Sequence, residues 1–78
     1  MTTDRINLDP AIMMGKPVIR GTRITVELIL RKFAEGFSED QLLADYPHIS
    51  KEDIRAAVAY GAASVAQEEV VLLPDLAS

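Results

Sequence analysis

The hydrophobic positions of this chain alternate at first and then settle into a helical period. Near the start, Ile6-Asn7-Leu8 alternates and is closed by Asp9-Pro10, which predicts a short strand or extended arm ending in a turn. Residues 11–14 have room for a single helical turn, and the β-branched pair Val18-Ile19 after Pro17 favours extension. Residues 23–24 read as a second strand piece that returns after a bend at Arg20-Gly21-Thr22. From there Val26, Leu28, Ile29, Leu30 and Phe33 recur at helical spacing behind Thr25, an N-cap residue, with Gly36 in the C′ position that ends the helix. Ser38 opens a second helix, with Gln41 three residues on completing a capping box and Leu42 and Leu43 as core positions. Pro47 ends it. Ser50 caps a third helix, with Glu52 and Asp53 set favourably against its dipole, that runs to about Gln67.

This third helix is unusual in being apolar nearly all round. One stripe, Ile54, Ala57, Val58, Gly61, Ala62 and Val65, has the spacing of a buried face. The opposite side holds Ala56, Ala59, Tyr60 and Ala63, so burial on more than one face is expected. Those four residues are candidates for a homodimer contact; the alternative is that the N-terminal arm folds over them. Helix, turn, helix, turn and longer helix is the order of a trihelical helix-turn-helix domain, although other small helical folds share it.

Composition narrows the possibilities. A chain of 78 residues is one domain whose core supplies roughly 3 to 5 kcal/mol, so a partner surface is expected to contribute. Without cysteine there is neither a disulfide framework nor a thiolate metal site. No run reaches the ~18 apolar residues of a membrane span, and the opening residues lack the apolar core of a signal peptide, so the cytoplasm is the expected compartment and no membrane partner is expected. The net charge of −4 conceals a partition: residues 1–32 carry 6 cations against 3 anions, and residues 33–78 carry 2 against 9. A basic front half suits phosphate or an acidic partner, and an acidic back half suits a basic surface.

The segment G-K-P-V-I-R-G-T-R, residues 15–23, concentrates special residues in one exposed turn. Lys16, Arg20 and Arg23 project from it, and with Thr22, Arg31 and Lys32 they are the nucleic-acid-binding candidates. The competing reading of each cation is a local ion pair that fixes the turn. Catalysis is not expected. His48 is the single histidine and sits in a turn, adjacent carboxylates such as Glu52-Asp53 diverge on a helix, and Gly15-Lys16 lacks the spacing of a phosphate-binding P-loop. The third helix is a poor reader of DNA bases, since its first turn is acidic and only Lys51, Arg55 and Ser64 offer favourable contacts. No cofactor and no metal is implied. The final stretch reads as a partner-binding tail, with Glu68, Glu69, Val70, Val71, Leu72, Leu73 and Leu76 as its contact candidates, or as a segment packed on the core or on a sister subunit.

Four motifs in order, I-x-L-D-P (6–10), G-K-P-V-I-R-G-T-R-I-T-V (15–26), F-A-E-G-F-S-E-D-Q-L-L (33–43) and D-Y-P-H-I-S-K-E-D-I (45–54), resemble the prokaryotic domain-of-unknown-function 433 family. The resemblance covers roughly residues 5–65. It implies a mainly α fold, a trihelical, homeodomain-like helix-turn-helix over residues 25–67 preceded by a short β arm or hairpin over residues 1–24; it says nothing of residues 68–78, which the residues alone mark as the tail of a single domain. It also implies an antitoxin-type protein that binds and neutralises a toxin of PIN-like nuclease fold, with double-stranded DNA as a secondary partner. A DNA-binding regulator without a toxin, or a small dimeric adaptor, are the alternatives.

Overall fold

Local capping rules place the helices where they lie. The structure is a computed structural model, and it describes residues 4–67. The Thr25 side chain accepts the Leu28 amide and starts α1, Val26–Ala34. Its last turn closes with Gly36 at φ +98°, the Gly36 amide bonding to Phe33 and the Phe37 amide to Lys32, the double bond pattern of a Schellman motif. The capping box of Ser38 and Gln41 opens α2, Glu39–Asp45, and a second box of Ser50 and Asp53 opens α3, Lys51–Ala66.

Ahead of the helices, β1, Ile6–Asn7, pairs antiparallel with β2, Val18–Ile19, in the register Ile6 to Ile19 and Asn7 to Val18. Between them the expected helical turn is a 3-10 turn, Met13–Gly15, in which Met13, Met14 and Gly15 all have positive φ. After β2 the chain reverses tightly. The Thr22 amide bonds to the Ile19 carbonyl across Gly21 at φ +82°, and the Ile19 amide bonds to the Ile24 carbonyl. The return limb makes an isolated bridge from Thr25 to Val18 rather than a strand.

The molecule is therefore mainly helical, three helices behind a short two-stranded antiparallel hairpin, as in a helix-turn-helix domain. Its core joins both parts. Ile6 and Ile19 of the hairpin, Ile24, Val26 and Ile29 around α1, Leu42 of α2, and Ile54, Ala56 and Ala57 of α3 are buried in one cluster. Leu28, Phe33, Leu43 and Tyr60 pack against it partly exposed.

The expected buried stripe of α3 is corrected in phase. Ile54, Ala57 and Gly61 are buried as expected, but Ala56 from the opposite set joins them at 7% exposure. Val58 and Val65 are 39% and 62% exposed, and Ala62 is exposed too. The cause is tertiary: α1 and both strands pack on α3, and a helix apolar on all sides takes its phase from its neighbours. On α1, Leu30 likewise lies at the edge, 37% exposed.

Candidate functional site

Two concave surfaces flank the hairpin and α1, and they differ in chemistry. The first is a groove of about 550 Å³ between α1 and α3, lined almost wholly by carbon. Val26 and Leu30 come from α1, and Tyr60, Gly61 and Val65 from α3. Its depth depends on Gly61: a Cβ there would lie 2.6 Å from Leu30 Cδ1. On the rim, Glu27 takes Lys16 Nζ at 3.2 Å on one carboxylate oxygen and the Arg31 guanidinium on the other. The bond and charge of Lys16 first, then those of Arg31, hold the Glu27 carboxyl below its ordinary pKa. Lys16 and Arg31 thus share one anion, and the rim keeps a single net positive charge.

The second surface is the more polar of the two, although Ile12 and Ile24 help to line it and most of its lining is apolar. A cavity of about 670 Å³ lies between the reversal over residues 19–24 and the turn that joins α2 to α3. Gly21, Thr22 and Arg23 line one side, Tyr46 and His48 the other. The Thr22 hydroxyl donates to the Ile19 carbonyl at 2.7 Å and accepts from the Ile24 amide at 3.0 Å, so it braces the reversal.

Among the six nucleic-acid candidates, the structure engages five. Besides Lys16, Arg31 and Thr22, Arg20 donates to the Asp4 carbonyl, and the Lys32 ammonium sits 4.6 Å from the centroid of the Phe37 ring. Arg23 alone of the six has no partner among the described residues. The basic front half is therefore mostly spent on its own architecture, and Arg23, without a partner among the described residues, lines the second cavity.

A family model described as "Protein of unknown function (DUF433)" matches residues 6–61. The chain belongs to this family. A curated relative, the uncharacterized protein y4eO of Sinorhizobium fredii (strain NBRC 101917 / NGR234), is 36% identical over 59 residues, which cover 76% of this chain and 27% of y4eO. The crystal structure of a DUF433 member protein from Anabaena variabilis ATCC 29413 superposes with a TM-score of 0.78 at 33% identity, over 82% of this chain and 63% of that one. The chain thus spans less than two thirds of the length of either. The DUF433 match takes in every residue around the second cavity, whereas Ser64 and Val65 at the end of the groove lie beyond it.

For the dimer candidates, the DUF433 core of this chain uses Ala56 itself, Ala59 and Ala63 are half-buried, and Tyr60 lines the apolar groove. The tail candidates, Glu68, Glu69, Val70, Val71, Leu72, Leu73 and Leu76, lie outside the described residues. His48 and Tyr46 line one cavity with Arg23, a juxtaposition absent from the expectations drawn from sequence. Nothing in the local pattern signals it, because the two turns come together only through packing of α1, α2 and the hairpin. Among the described residues there is no group of three His, Asp or Glu placed to hold a metal, and no helix is long and apolar enough to cross a membrane.

Proposed function

We propose that this protein is an antitoxin-type binding module that occludes a cognate toxin of PIN-like fold. The observation that carries this reading is the open apolar groove between α1 and α3. A domain this small gains stability by covering Leu30, Tyr60 and Val65, and burying them against a partner is worth about 25 cal/mol per Å² of apolar surface. Charge supports it. Residues 33–67 carry 6 anions against 2 cations, which suits the basic, nucleic-acid-binding face of a nuclease. In this mechanism the apolar groove grips the toxin, and the acidic back half and the tail over residues 68–78 cover its basic face.

A second copy of the chain is also a proposed partner. With Ala56 used inside the protomer, Val58, Ala62 and Ala66 are the exposed apolar residues that α3 offers to it outside the groove. Autoregulatory DNA binding is the secondary activity, and it is favoured by the Arg23 guanidinium, which has no partner among the described residues.

Co-expression tests the main reading. The PIN-like product of a neighbouring gene, toxic when expressed alone, is expected to be neutralised by this chain and to co-purify with it. Undiminished toxicity with no complex would reject the antitoxin reading.

A further inference from the structure

The second cavity gathers donors that the fold leaves unused. Arg5, Lys16, Arg20, Arg31 and Arg55 each bond to or pair with an acceptor of the chain itself, and Lys32 faces a ring. Arg23, Tyr46 and His48 do not: none has a side-chain partner among the described residues, and all three line this one cavity. The main chain adds to the set. The amides of Gly21 and Arg23, on either side of the Thr22 brace, donate to no acceptor among the described residues.

The walls are fixed. Thr22 is bonded at both its amide and its hydroxyl, Ile24 is buried and bonded at its amide and carbonyl, and Ile49 is buried with its amide on the Tyr46 carbonyl. An exposed guanidinium, a phenol, an imidazole and two amides, none with a partner among the described residues, form a set of donors without a carboxylate among the lining residues. The nearest acid in sequence, Asp45 at the end of α2, is exposed and does not line the cavity. Such a set is complementary to an anion with several acceptor oxygens, and a guanidinium fork suits a phosphate.

We propose that this cavity is a phosphate-binding site in which Arg23 supplies the charge, Tyr46 and His48 donate from the facing turn, and the Gly21 and Arg23 amides complete the shell. The phosphate belongs either to a nucleic-acid backbone or to a small phosphorylated ligand. The site stands independently of the toxin reading, since it lies apart from the α1–α3 groove and needs no second protein.

The test is a titration of the full chain with inorganic phosphate, followed by amide and imidazole NMR signals in phosphate-free buffer. Saturable shifts at Gly21, Arg23 and His48 are expected, with Arg23→Gln weakening the affinity about tenfold or more and Arg23→Lys less. The Arg23 side chain has no partner among the described residues, so its variants are expected to keep the parent spectrum elsewhere, and Arg55→Gln serves as a remote control that titrates like the parent. Competition by a short duplex DNA assigns the phosphate to a nucleic acid. Competition by mononucleotides alone assigns it to a small ligand, and either result upholds the site. The proposal is overturned if shifts at these residues fail to saturate, or if Arg23→Gln titrates like the parent.

Discussion

A methyl group at Gly61 would meet Leu30 Cδ1, yet that atom is the far end of a side chain that is 37% exposed and can shift aside. Helix propensity favours alanine over glycine by about 1 kcal/mol in a helix interior. Gly61→Ala is therefore expected to keep stability level or raise it by up to about 1 kcal/mol in urea denaturation, while the displaced Leu30 side chain narrows the groove and weakens partner binding. A stability loss above that size would mean that the α1–α3 contact is tighter than described. At this scale the sequence was readable wherever the chemistry is local. Thr25, Gly36, the Ser38–Gln41 pair and Ser50 act on backbone groups within a few residues, and each stands where the pattern put it. The pairing of Arg20 with the Asp4 carbonyl and of Lys16 with Glu27 was legible only as an alternative, because each bridges two segments.

The start of α3 couples the helix to the arm. Asp53 accepts the Ser50 amide at 3.0 Å on one oxygen and Arg5 at 2.9 Å on the other. Burial opposes its charge, but the Ser50 amide, the Arg5 guanidinium and the Ser50 hydroxyl together outweigh burial and hold the carboxyl below its ordinary pKa. Glu27, with Lys16 and Arg31, is shifted the same way. A carboxylate depressed in the folded state adds stability that is complete above its unfolded pKa, near about 4, and is lost as pH falls through the folded value. The urea midpoint is thus expected to be level from neutral pH to about pH 5 and to fall below about pH 4. Asp53→Ala is expected to cost about 1 to 2 kcal/mol at pH 7 and to flatten the acid limb; an unchanged limb would show that the pair is not what senses acid. The phase of α3 was not legible. Its all-round apolar sequence permits several faces, and the choice is made by Leu30 over Gly61 and by the strands, which no periodicity within the helix encodes.

Over the whole molecule, the sequence partition of charge is modified by the fold. The basic half keeps its net positive charge but ties most of its cations down, through Glu27, Asp53, the Asp4 carbonyl and the Phe37 ring, and Arg23 beside the cavity has no partner among the described residues. The acidic half keeps Glu35, Asp40 and Asp45 exposed. Fold class and motif order were legible because they follow from caps and turn residues, whereas the two concave surfaces were not, since each is built from segments distant in sequence. Deleting residues 68–78 is expected to leave the circular dichroism spectrum and urea midpoint close to the parent and to abolish toxin neutralisation. Full neutralisation by the shortened chain would remove the tail from the mechanism. The central claim, that the α1–α3 groove grips a protein partner, is tested most directly by calorimetric titration of the purified PIN-like neighbour with the parent chain and with Leu30→Asp. Leu30 is 37% exposed at the edge of the core, circular dichroism checks that the variant keeps the parent fold, and a charge placed in the groove is expected to weaken the complex at least about tenfold. Equal affinity for the two chains would contradict the claim.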